Sequence, residues 1–155
     1  MSPDTSKSSP ASLSFSILKE VALYIQDTGR SRAFYEGVLG LPVLVEIPSA
    51  YVFFHAGPVM LLAFVREYAL ANQQLPPHGA TGIQHIAFEA PSTEAYEKWK
   101  ALLSQKGIAI DREVTWPNRR RSFYFTDPDG HSLEILEPGV WPLPPERGSL
   151  PPQKT

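Results

Sequence analysis

The amino-acid sequence predicts an α+β fold: two tandem β-α-β-β-β modules, at about residues 17–65 and 82–138, forming a curved sheet around a shared cleft. Three observations carry this prediction. The same order of strand and helix signals occurs twice; Val21-Ala22-Leu23 in the first run superposes on Ile86-Ala87-Phe88 in the second; and Gly57 falls over Gly130 at matching turns. Internal duplication is the economical explanation.

Taken in order, residues 17–26 alternate. Ile17, Lys19, Val21, Leu23 and Ile25 share one face, and Leu18, Glu20, Ala22, Tyr24 and Gln26 the other, as in a strand. Asp27 or Thr28 caps a helix over about 29–39 with Ala33, Phe34, Val38 and Leu41 as its buried stripe, stopped by Gly40 and Pro42. Strands follow at 43–47, 50–55 and 59–65, separated by Pro48-Ser49 and Gly57-Pro58. Residues 66–81, with Pro76-Pro77-His78-Gly79, read as a connector. The second run has a strand at 82–90 and a helix opened by Pro91-Ser92 that passes through Tyr96, Trp99, Leu102 and Leu103 and stops at Gly107. Strands at 108–114, 122–126 and 132–136 complete it, the last two joined by the tight turn Asp127-Pro128-Asp129-Gly130. Residues 1–12 are Ser/Pro-rich and expected to be disordered, 142–155 form a Pro-rich tail, and a single domain spans 13–141.

A chain of 155 residues that is 43% apolar can bury one substantial core. Its formal charge of -2 supplies no field for nucleic acid or an anionic membrane, so those partners are not favoured and small molecules and protein partners remain open. The absence of cysteine excludes disulfides, thiolate nucleophiles and sulfur-rich metal sites, so a metal would need His and carboxylate ligands. No apolar run resembles a signal peptide or a membrane span, and a cytoplasmic location is expected.

In such a paired arrangement, residues pointing away from the helices converge on the cleft. By alternation these are Glu20 and His85 from the first strands, and Leu61 and Glu134 from the last. Two carboxylates brought together repel, and a divalent cation cancels both charges, so Glu20, His85 and Glu134 suit Mn, Fe, Ni, Zn or Co with open coordination positions. Tyr24 shares Glu20's face, Trp116 and Tyr124 offer aromatic walls, and Arg121, in the run Arg119-Arg120-Arg121, is the candidate for pairing an anionic substrate group. His55, His78 and His131 sit beside turn signals and are expected to face solvent.

Four segments carry a resemblance: Val21-Ala-Leu-Tyr-Ile25, Ala33-Phe-Tyr-Glu-Gly-Val-Leu-Gly-Leu41, His85-Ile-Ala-Phe88, and Tyr124-Phe-Thr-Asp-Pro-Asp-Gly-His-Ser-Leu-Glu134. Over about residues 17–141 the chain resembles the vicinal oxygen chelate superfamily, which includes glyoxalase I, bleomycin-resistance proteins and extradiol dioxygenases. The resemblance implies metal ligands on the first and last strands of each module, at Glu20, Leu61, His85 and Glu134. Leu61 removes one of the four ligands general in glyoxalase I. Extradiol dioxygenases and fosfomycin-resistance enzymes use three, with His where this chain has Glu20. The aromatic-Tyr-x-x-Asp-Pro-x-Gly pattern is similar to the extradiol signature and implies a substrate-bonding, catalytic Tyr124. The acid/base histidine expected shortly before it is replaced by Trp116-Pro117. The leading expectation is a divalent-metal-dependent enzyme, dioxygenase or lyase/isomerase-like, whose substrate chelates the metal through adjacent oxygens. The alternative is a metal-free binding protein of the bleomycin-resistance type, walled by Tyr24, Tyr124 and Trp116. A homodimer is expected, because two-fold association is common and sheet edges need cover.

Overall fold

Alternating β-branched and aromatic residues against tight turns produce eight strands in a computed structural model that describes residues 18–71 and 78–141. The segments read as a disordered N-terminus and a Pro-rich tail lie outside the described residues. The order is β1 (Glu20–Ile25), α1 (Thr28–Tyr35), β2 (Val43–Ile47), β3 (Tyr51–Ala56), β4 (Val59–Val65), α2 (Arg66–Ala71), β5 (His85–Glu89), α3 (Thr93–Gln105), β6 (Arg112–Thr115), β7 (Arg121–Thr126) and β8 (Ser132–Leu136). The strands form two four-stranded sheets, β1-β4-β3-β2 and β5-β8-β7-β6. In each, the first strand lies parallel to the last and the other neighbours are antiparallel. The duplication expected from the sequence is therefore present as two sheets of the same topology.

Helix α1 starts where Asp27 accepts a hydrogen bond from the Arg30 N–H, and α3 where Ser92 accepts one from Ala95, each satisfying a donor that the first turn leaves unpaired. The stretch read as a plain connector contains the six-residue α2, which follows β4 directly. No capping residue or long periodic pattern announces so short a helix.

One continuous apolar core joins the two halves, with Leu23, Phe54, Leu61 and Ala63 from the first and Phe123, Phe125, Leu133 and Ile135 from the second. Helix α1 bridges them: Phe34 packs at 6.4 Å from Phe125, and Tyr35 at 5.3 Å from Phe54. The β7–β8 turn closes over the same helix. The Tyr35 hydroxyl donates to Asp127 Oδ2 at 2.7 Å, while Asp127 Oδ1 accepts the backbone N–H groups of Asp129 and His131. Gly130, at φ 87, supplies the left-handed residue that this turn requires. Asp129 accepts from the Gln26 N–H at 2.9 Å and pairs with Arg30 at 3.0 Å. His131 is buried, not solvent-facing as its place beside a turn suggested. Its Nδ1 accepts from the Gln84 N–H, so its Nε2–H donates to the Tyr24 carbonyl at 2.7 Å, and the ring ties the start of the second half to the end of β1.

Burial, and then the Asp127 charge, push the Tyr35 phenol far above its ordinary pKa, so it stays a donor at any working pH. Tyr35→Phe is expected to lower unfolding stability by about 2 kcal/mol, because the carboxylate stays buried with one donor fewer. Urea denaturation measures this, and a loss under about 0.5 kcal/mol would contradict it.

On the helix side of the second sheet, Arg121 holds Glu137 at 2.7 Å and Glu97 at 2.7 Å, and lies 5.0 Å over the Tyr96 ring. Lys100 pairs with Glu113. Hydrogen bonds from Arg121 and Lys100 hold Glu137 and Glu113 below the usual carboxylate value of 4.5. A depressed folded-state pKa stabilises above the unfolded value, and the contribution is lost as pH falls through the folded value. Denaturation midpoints are therefore expected to drop as pH falls below 4.5. The drop should be shallower in Glu137→Gln, which is already less stable at neutral pH.

Candidate metal and substrate site

Strand register decides which side chains meet. β5 pairs β8 at His85–Ser132 and Ala87–Glu134, and β7 pairs β8 at Tyr124–Glu134, which places His85, Glu134 and Tyr124 on the face away from the core. His85 Nε2 lies 3.2 Å from Glu134 Oε2, and the Tyr124 ring stacks on the imidazole at 5.9 Å and 27°. His85 Nδ1 lies 3.2 Å from the Ser132 carbonyl, an acceptor only, so Nδ1 carries a proton. A neutral His85 then aims the lone pair of Nε2 at a carboxylate oxygen. Two lone pairs in that position repel unless a cation or a proton lies between them. A carbonyl fixing the outer nitrogen is also how metal-binding histidines are oriented.

Glu134 decides between the two. Its side chain is 6% exposed, and Oε1 is buried with no hydrogen-bond partner. A proton on His85 satisfies Oε2 alone; the Tyr124 hydroxyl stands near the carboxylate but makes no hydrogen bond to Oε1, which is left uncompensated, a costly state for a buried charged oxygen. A divalent cation seated against the carboxylate and Nε2 relieves both atoms. The residues present therefore fit a metal, with His85 and Glu134 as two ligands.

Glu20, the third expected ligand, occupies in β1 the place His85 occupies in β5 and is exposed. Among the described residues no three His, Asp or Glu side chains of this chain are grouped to hold an ion. Leu61 does not face the cleft: it is 2% exposed in the core. Glu20 lies opposite Met60 and His85 opposite Ser132, so the residue equivalent to Glu134 is Leu62. The turn at Gly57 offsets the strand by one residue relative to Gly130, and one residue reverses every face. The fourth position remains aliphatic.

Arg121 also points to the other side. Its guanidinium is engaged with Glu97 and Glu137 in the helix layer, and it cannot receive a substrate in the cleft. Trp116 folds back toward the Tyr124 face, its indole N–H donating to Oγ of the buried Ser122 at 3.0 Å. The Tyr24 ring lies beneath Gly79, where an added Cβ would stand 2.7 Å from it, so the connector covers this wall. A basic residue that sequence reading missed is Arg112, opposite Tyr124 in the β6–β7 pairing and on the same face. Only the β6 register could have shown it, and β6 was read as 108–114 without a partner strand.

Paired β-α-β-β-β modules with a His–carboxylate pair on the sheet face away from the core define a class of protein. A model of the Glyoxalase/Bleomycin resistance protein/Dioxygenase superfamily matches residues 17–135, and the chain belongs to this superfamily. It is 30% identical to metallothiol transferase FosB of Lysinibacillus sphaericus over 72% of this chain and 74% of that protein. It is 29% identical to glutathione transferase FosA of Serratia marcescens over 76% of this chain and 78% of that protein. A crystal structure of lactoylglutathione lyase from Agrobacterium tumefaciens matches with a TM-score of 0.77 and 35% identity, covering 83% of this chain and 98% of that one. No helix among the described residues is long and apolar enough to cross a membrane.

Burial, and then the Glu134 carboxylate, raise the pKa of the Tyr124 phenol above its ordinary 10.0, so the hydroxyl stays protonated at neutral pH and beyond. Glu134→Gln is expected to lower it. Ultraviolet titration of each protein against its Tyr124→Phe counterpart isolates this phenol, and an unchanged or higher value in the Gln variant would contradict the assignment.

Proposed function

We propose that this protein is a divalent-metal-dependent enzyme acting on a small substrate that chelates the metal through adjacent oxygens. The buried, unpartnered Oε1 of Glu134 beside the lone-pair face of His85 is the observation that carries this reading. His85 and Glu134 hold the ion, and a second copy of the chain supplies Glu20, since no third ligand is grouped with them among the described residues. The one-imidazole, two-carboxylate set accepts Mn, Fe, Ni, Zn or Co. When bound, the metal supplies Lewis-acid polarisation of the substrate oxygens.

The chain's own groups do the rest. Ser132 fixes the His85 ring through Nδ1, and the stacked Tyr124 presents a protonated hydroxyl beside Glu134, placed to donate to a substrate oxygen. Trp116, with its N–H held by Ser122, excludes water from one side. No acid/base histidine stands there, which favours lyase- or transferase-type chemistry over ring opening. FosB and FosA, which are named as transferases, and the Agrobacterium tumefaciens lyase accord with that choice.

Calorimetry on chelator-treated protein tests the reading. Uptake of one Mn²⁺ or Zn²⁺ per site is expected, weakened about 100-fold or more in His85→Ala, Glu134→Gln and Glu20→Gln, with sedimentation reporting a dimer. Ligand binding indifferent to EDTA and to Glu134→Gln, without metal uptake, would instead establish a metal-free binding protein.

A further inference from the structure

Register lays out a row of side chains across the face of the second sheet that points away from the core: Arg112, Tyr124, Glu134 and Ala87 on β6, β7, β8 and β5. Strands lie about 4.8 Å apart, so Arg112 stands roughly 10 Å from Glu134 with Tyr124 on the strand between them. Arg112 is exposed, and the nearby carboxylates of Glu97, Glu113 and Glu137 are engaged by Arg121 and Lys100 on the opposite face. Among the described residues Arg112 has no ion-pair partner.

Its isolation is specific to this face. The strands of the first sheet contain no Lys or Arg, and the other basic strand residue of the second sheet, Arg121, points into the helix layer. Among the described residues, the sheet faces that point away from the core therefore carry a single Lys or Arg on a strand, in one row with Tyr124 and Glu134. A guanidinium presents a planar fork that matches an oxyanion through two parallel hydrogen bonds.

We propose that Arg112 is a specificity residue that receives the anionic group of the substrate. The substrate class follows: a small, largely planar molecule with adjacent oxygens at the His85–Glu134 end and a carboxylate or similar oxyanion at the other, its body lying on Tyr124. The inference rests on the metal reading above. The competing explanation for Arg112 is a charge that keeps the exposed edge strand β6 from pairing with another chain.

Calorimetry of zinc-loaded protein with catechol and with 3,4-dihydroxyphenylacetate separates these explanations. Both probes offer adjacent oxygens, and the second adds a carboxylate. The carboxylated probe is expected to bind wild type about tenfold more tightly, the scale of one charge-assisted pair. The preference should weaken with added salt, vanish in Arg112→Gln and return in part in Arg112→Lys, with zinc and catechol affinities unchanged. Equal binding of the two probes to wild type overturns the proposal, as does a preference that survives in Arg112→Gln. Loss of catechol or zinc binding along with the preference in that variant would mark a structural role and overturn it too. If wild type takes up no zinc, or zinc-loaded wild type does not bind catechol, the metal-chelate reading fails and this proposal with it.

Discussion

The carboxylate of Asp127 is the contact on which the arrangement depends. It accepts the Tyr35 hydroxyl from α1 and two backbone N–H groups of its own turn, so one buried anion fixes both the packing of the halves and the path of the chain into β8. β8 carries Glu134, seven residues beyond Asp127 in the sequence. A turn closed differently would change the register of β8 and, because side chains alternate, send Glu134 into the core and Leu133 toward solvent. The turn chemistry that joins the modules therefore also decides which residue reaches the candidate site. His131 and Asp129 reinforce the same junction from either side, by bonds to Tyr24 and Gln26 at the end of β1.

The candidate site is built from an imbalance of hydrogen bonding. Nearly every buried polar group near the turn is satisfied, whereas the outer face of the second sheet holds a buried carboxylate oxygen that makes no hydrogen bond. An imidazole is turned so that its lone pair faces the same carboxylate. Stability alone would favour an apolar residue there, as the equivalent Leu62 shows in the first sheet. Retaining an expensive group in one half and dispensing with it in the other is the pattern that a single shared ion would produce. The two sheets have thus diverged in chemistry while keeping one topology.

Much of this architecture was legible in the sequence. β2, β4 and β8 begin and end where alternation and turn residues place them, and the Asp127-Pro128-Asp129-Gly130 turn forms as its composition requires. The pairing of His85 with Glu134 was also legible, since both lie on the polar side of strands with clear period. What escaped depended on partners distant in the chain. Leu61 was misplaced by one residue because the turn at Gly57 and the turn at Gly130 feed their strands with different offsets, visible only in the β1–β4 and β5–β8 registers. Arg121 appeared free until Glu97 of α3 and Glu137 came into view, and Arg112 went unnoticed because its face is set by pairing with β7. His131 looked like a loop residue, yet its ring is enclosed by the other half of the molecule.

The central claim is that a cation belongs between His85 Nε2 and Glu134. Anomalous diffraction from crystals of the full chain soaked in Co²⁺ tests it most directly. The account predicts one strong peak about 2.0–2.2 Å from His85 Nε2 and from a Glu134 oxygen, with the Glu20 carboxylate of a second copy completing the set. At saturating Co²⁺, a direct His85–Glu134 contact with no peak between the two side chains would contradict it.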